Sequence, residues 1–126
     1  MESNSNEKTI VYFNTRDEMV KINLHNVVYF QADRNYTDIY FINGAHVTLT
    51  TGLVNIEKML DTPKLRGVVP TFIRLGRSYI VNPLFIFHIN VLKQELVLSD
   101  TKQVQMYRLQ VSKEALKKLK DLYKHN

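Results

Sequence analysis

The sequence predicts a mainly β domain of many short strands, with one short central helix and one C-terminal helix. Three observations lead there. Short apolar, β-branched runs recur between turn-forming residues from Thr9 to Met106, the pattern of strands rather than of long helices. Asn43-Gly44 stands between two alternating segments, a strong local signal for a hairpin. Only two stretches switch to apolar spacings of three and four, one around Ile56 and one after Val111.

Residues 1–8 are mostly Ser, Asn and charge and read as a disordered leader or a cut linker, leaving 9–126 as one domain. Residues 9–13 and 19–23 read as strands. Residues 27–32 hold a continuous apolar run, Val27-Val28-Tyr29-Phe30, suited to a strand buried on both faces. Residues 37–42 and 45–50 flank Asn43-Gly44, which fits a type I′ turn. In that pairing Ile39, Phe41, Val47 and Leu49 share one face, and Asp38, His46, Thr48 and Thr50 the other. Leu53, Ile56 and Leu60 mark the short helix, with Thr51 as its candidate N-cap and Pro63 beyond its end. Residues 71–75, 79–81, 84–90, 95–99 and 103–106 read as further strands, with Asn82-Pro83 as a turn. The terminal helix carries Val111, Ala115, Leu119 and Leu122 on one stripe and Lys113, Lys117, Lys120 and Lys124 on another. It begins either near Arg108 or after Ser112, a candidate cap.

Composition narrows the function. The 126 residues are 44% hydrophobic and 23% charged, with no cysteine, so disulfides, thiolate nucleophiles and sulfur-ligated metals are excluded. No apolar run approaches the ~18 residues of a membrane span, and cytosol is the default location. His25, His46, His88 and His125 lack partners at metal-ligand spacing. There is no Gly-rich phosphate loop, and Ser78 sits in no nucleophile-elbow frame. Neither an enzyme nor a cofactor is expected. The net charge of +5 is unevenly spread. Residues 1–61 carry five Lys/Arg against eight Asp/Glu, net −3, and residues 62–126 twelve against four, net +8. Such polarity favours a polyanionic partner.

One segment carries most of the functional information: Phe72-Ile73-Arg74-Leu75-Gly76-Arg77-Ser78-Tyr79-Ile80-Val81-Asn82. Apolar runs bracket a Gly-Arg-Ser centre. Gly76 permits a bend, and Arg77 and Ser78 then present a forked donor beside a hydroxyl. Arg can grip guanine O6 and N7 or a phosphate. Tyr79, Ile80 and Val81 read as core, and Asn82 as a turn residue satisfying backbone groups.

This segment resembles the LytTR-type DNA-binding domain of bacterial transcription regulators, whose pattern there is Phe-x-Arg-Val-His-Arg-Ser-Tyr-Ile-Val-Asn. Two more segments match in order: Val28 through Thr37, with its Asn35-Tyr36-Thr37, and Glu95-Leu96-Val97-Leu98-Ser99-Asp100. The resemblance spans about Ile10 to Leu122. Gly76 departs from the family's His. The family's late Val-Ser-Arg matches Met106-Tyr107-Arg108 when spacing from Asp100 is kept, the preferred register, with the helix then starting near Arg108. It matches Val111-Ser112-Lys113 if five residues are inserted.

The resemblance implies an elongated arrangement of short sheets that contacts double-stranded DNA through loops in the major groove. It implies Arg34, Asn35, Thr37, Arg77, Ser78 and either Arg108 or Lys113 as contacts. It further implies direct-repeat promoter sites occupied by two copies, and a receiver domain in a full-length response regulator. A receiver would need more than ~100 further residues, so the chain reads as an excised output domain or a stand-alone regulator. Two other readings stand beside this one. A module for RNA or single strands would stack bases on Tyr29, Tyr36, Tyr40 and Tyr79. A basic module would dock a protein or an anionic membrane surface.

Overall fold

The computed structural model describes residues 8–124. Most of the expected leader and His125 therefore lie outside the described residues. Strands β1 (Ile10–Asn14) and β2 (Met19–Asn23) form a hairpin. Strands β3 (Val27–Asp33), β4 (Tyr36–Phe41), β5 (His46–Leu49), β6 (Ile73–Leu75) and β7 (Tyr79–Val81) build a five-stranded sheet. Its order is β5-β4-β3-β7-β6, antiparallel throughout. Strands β8 (Ile86–Asn90), β9 (Glu95–Ser99) and β10 (Met106–Gln110) form a three-stranded sheet with β9 in the middle. Helix α1 is Leu53–Leu60 and helix α2 is Lys113–Asp121. Among the described residues the fold is mainly β with two α-helices, as the sequence predicts.

Strand β3 is central in the five-stranded sheet and buried on both sides, since Val27, Val28, Tyr29 and Phe30 are all buried. Val27 and Phe30 belong to one core, with Phe13, Ile22, Leu53 and Ile56 from the β1–β2 hairpin and α1. Val28 and Tyr29 belong to the other, with Leu96, Leu98, Leu109, Leu116 and Leu119 from the three-stranded sheet and α2. Two adjacent residues can share a face because the register with β4 slips between Val27 and Tyr29. This bulge adds one residue to β3 and interrupts the alternation. Each fully buried aliphatic or aromatic side chain contributes roughly 1.5–3 kcal/mol, so both cores draw on this strand.

Asn82 ties β7 to β3. It is fully buried. Its Nδ2 donates to Val27 O at 2.9 Å, and its Oδ1 accepts from Leu84 N at 3.0 Å. The same side chain thereby caps the 3-10 turn Pro83–Phe85, which replaces the first part of the strand expected over 84–90. The second core is sealed by tyrosines. Tyr29 stacks on Tyr40 at 4.6 Å between centroids, and Tyr107 meets Tyr29 edge-on at 5.4 Å. The Tyr107 hydroxyl donates to Phe41 O at 2.7 Å, joining the two sheets.

Some local expectations are corrected. The loop joining β4 and β5 centres on Ile42-Asn43-Gly44, and of these only Gly44 has positive φ, at 92°. Gly44 N donates to Phe41 O and Phe41 N to Ala45 O. That is a turn closed by a left-handed glycine, not type I′, which needs positive φ at both central residues. Thr51 does not cap α1, because Gly52 occupies the cap position without a side-chain bond. Thr51 Oγ1 instead accepts from Asn55 Nδ2. The last strand is Met106–Gln110 rather than 103–106: Gln103 is left-handed at φ 56° and Val104 is exposed, while Tyr107 and Leu109 face inward. Arg108 is therefore in a strand. Helix α2 begins after Ser112, whose hydroxyl oxygen accepts from Ala115 N at 3.2 Å.

Two outcomes follow. Asn82→Ala leaves Val27 O and Leu84 N without their partners, and should cost about 2–4 kcal/mol in urea unfolding. The phenols of Tyr29, Tyr40, Tyr79 and Tyr107 are all pushed up, first by burial. The folded state then holds its protons longer than the unfolded chain. Stability should be complete below the unfolded tyrosine value of ~10 and fall as pH rises above it. Thermal midpoints from pH ~8 to ~12 measure this, and Tyr29→Phe should make the fall shallower.

Candidate nucleic-acid interface

Antiparallel pairing decides which loops share an end of a sheet. Strand β3 pairs with β7 as Tyr29↔Val81, Phe30↔Ile80 and Gln31↔Tyr79. The ladder continues one step, with Ala32 N donating to Ser78 O at 2.8 Å. The β6–β7 turn, Gly76-Arg77-Ser78, therefore sits beside the far end of β3. There β3 turns into β4 through Arg34-Asn35, after the pair Asp33↔Tyr36. Two turns far apart in the chain are thus neighbours at one end of the five-stranded sheet.

Both turns depend on left-handed backbone. Gly76 has φ 62°, and the space that a Cβ would take there is open, with no heavy atom within 4 Å. Conformation, not crowding, is what calls for glycine there. Arg34 has φ 59°, which costs a non-glycine residue about 1–2 kcal/mol. Non-glycine strain of this kind gathers at functional sites. Arg34, Asn35, Arg77 and Ser78 are all exposed. Among the described residues neither Arg34 nor Arg77 has an ion-pair or hydrogen-bond partner, so both guanidinium forks are free. Two turns offering free Arg donors, an Asn amide and a Ser hydroxyl suit base edges and phosphates.

The surroundings hold this end in place. Arg74, on β6, donates from Nε to Gly76 O at 2.8 Å and from Nη1 to Glu57 Oε1 of α1 at 2.8 Å. Glu18, from the β1–β2 turn, accepts from Thr50 N and Thr50 Oγ1, each at 3.0 Å. Helix α2 runs along β6: Lys118 and Leu122 line a groove with Leu75 and Gly76. Lys118 falls outside the lysine stripe read from the sequence. Helical spacing alone marks it as another exposed lysine, and only the packing of α2 brings it near the turn.

The remaining expected contacts fall elsewhere. Thr37 is a correction: it is fully buried and its hydroxyl donates to Thr51 O at 2.8 Å, so it fastens β4 to the start of α1. Arg108 lies on the edge strand of the three-stranded sheet, with Nη1 3.4 Å from Glu95 Oε1. Lys113 is the first residue of α2 and exposed. Helix α2 starts after Ser112, not near Arg108, so Val111-Ser112-Lys113 stands at the strand-to-helix junction. The base-stacking platform is also corrected. Tyr29, Tyr40 and Tyr79 pack together between the sheets, and only Tyr36 of the four is exposed. No group of three or more His, Cys, Asp or Glu among the described residues could hold a metal ion. Nor is any helix there long and apolar enough to cross a membrane.

Comparison with known proteins bears on the family and the fold. The family model described as the LytTr DNA-binding domain matches residues 17–124. Among solved structures, a LytTr DNA-binding domain from Bacillus cereus, assigned to a methyl-accepting/DNA response regulator, has a similar fold. Its TM-score is 0.61 at 23% identity, covering 92% of this chain and 97% of that one. No curated protein matches.

The strained turn gives a stability outcome. Arg34→Gly relieves the left-handed penalty but adds freedom to the unfolded chain, so it should stabilise by about 0.5–1 kcal/mol. Urea unfolding at matched pH measures it.

Proposed function

Because this chain belongs to the LytTr DNA-binding domain family, we propose that it binds double-stranded DNA sequence-specifically through its turns. The carrying observation is the pair of adjacent turns at one end of the five-stranded sheet, with the unpaired guanidinium groups of Arg34 and Arg77 exposed. Arg77 reads a guanine edge in the major groove and Ser78 supports it at the backbone. Arg34 and Asn35 contact the adjacent stretch. Lys113, at the exposed start of α2, supplies the third contact in preference to Arg108, whose guanidinium already faces Glu95. Lys118 adds charge beside the β6–β7 turn.

The domain serves as the DNA-binding output of a bacterial transcriptional regulator in the cytoplasm, either beside a receiver domain or alone. Two copies occupy a direct repeat. The packing of Tyr29, Tyr40 and Tyr79 against one another disfavours a single-strand module, because stacking requires free aromatic faces.

Binding-site selection from random duplex DNA supplies the cognate sequence. On that duplex, Arg77→Ala should cost roughly 1–3 kcal/mol and relax preference at one base pair. Affinity should also fall steeply with salt. Fluorescence anisotropy on selected and scrambled duplexes reads both, and unchanged cognate affinity in Arg77→Ala would reject the role given to that residue.

A further inference from the structure

We infer that Glu57 and Arg74 are positioning residues that hold the Gly76-Arg77-Ser78 turn in its reading geometry, an inference that rests on the DNA-binding reading above. Among the described residues, Arg74 is the side chain that grips that turn's backbone, its Nε donating to Gly76 O at 2.8 Å. Its other arm reaches Glu57 Oε1, also at 2.8 Å. A guanidinium suits this task because its planar fork holds two acceptors at a fixed angle, which an ammonium cannot do. The Arg74 side chain is 26% exposed and Glu57 50%, so the bridge runs from the helix surface to the turn.

The chemistry of Gly76 explains why an anchor is needed. A glycine at positive φ in a short turn has wide conformational freedom. The opposite side of the turn is fixed at Ser78 O, by Ala32 N. Without Arg74, the carbonyl preceding Arg77 loses its donor and the guanidinium that reads DNA swings with it. Strand alternation delivers Arg74 to this place. Ile73 and Leu75 face the second core, so Arg74 projects toward α1. The first arginine of the motif thus acts on the second through the backbone between them.

The sign of one mutation separates this role from simple charge. Removing an acid from a DNA-binding protein should tighten binding to every duplex. Positioning predicts the reverse for the cognate site alone. In Glu57→Ala, cognate affinity should fall roughly fivefold or more, while scrambled-duplex affinity holds or rises slightly. In the free protein, exchange of the Ala32 amide should accelerate while amides of the three-stranded sheet stay unchanged. The double exchange Glu57→Arg with Arg74→Glu restores an ion pair but leaves Gly76 O without a donor, and should not recover cognate affinity.

Three results would overturn the inference: equal gain on both duplexes in Glu57→Ala, unaltered Ala32 exchange, or full recovery in the double exchange. A wild-type protein with no preference for any selected duplex would instead overturn the DNA-binding reading. The Ala32 exchange would then still decide whether the pair holds the turn.

Discussion

The structure depends on a single strand that must be apolar on both faces. Strand β3 lies between the core made with the β1–β2 hairpin and α1 and the core made with the three-stranded sheet and α2. An ordinary alternating strand could serve only one of these well. The extra residue at the bulge lets Val28 and Tyr29 face the same side while Val27 and Phe30 face the other. Asn82 then closes one end of the strand, giving Val27 O a partner that the slipped ladder would otherwise have to provide. Loss of β3 packing would separate both layers at once.

The same strand sets where chemistry can occur. Its last residues define the end of the sheet at which both β4 and β7 begin, so the two arginine turns are adjacent by pairing rather than by sequence proximity. The charge polarity of the sequence is a poor map of this surface. Arg34 belongs to the net-negative half and Arg77 to the net-positive half, yet strand pairing puts their turns at the same end of the sheet. Asp33 borders the first turn, and Glu18 is tied to Thr50. Charge there is mixed, and a uniformly basic face is not what distinguishes it. What distinguishes it is two guanidinium groups left unpaired among the described residues, while Arg66, Arg74 and Arg108 each have a carboxylate partner.

Much of this is legible in the residues. The apolar run at Val27–Phe30 and the spacing of Leu53 and Ile56 point to the central strand and α1, because burial leaves direct traces in sequence, whereas the Arg77-to-Asn82 string points to the main turn through its family resemblance. The bulge is not legible, since Val27-Val28-Tyr29-Phe30 reads the same with or without a slipped register. The last strand is easily misplaced because Val104 and Met106 alternate as convincingly as Tyr107 and Leu109. Only the hydrogen bond from Tyr107 to Phe41 and the pairing Met106↔Ser99 choose between them. Thr37 enters as a DNA contact only through the family resemblance, and its bond to Thr51 O cannot be seen without knowing where α1 starts. Arg74 carries no signal separating it from Arg77. Their difference lies in where each stands: one on a face of β6, the other in the turn beyond it.

The tips of both turns contribute no atom to either core. Arg34, Asn35, Arg77 and Ser78 can therefore be exchanged for other residues without disturbing the layers beneath, provided the left-handed positions remain tolerable. Folding and target choice are written in separate letters of the chain. A lineage descended from such a scaffold can drift from one operator to another through a few changes at the sheet's edge, while the interior stays as it is.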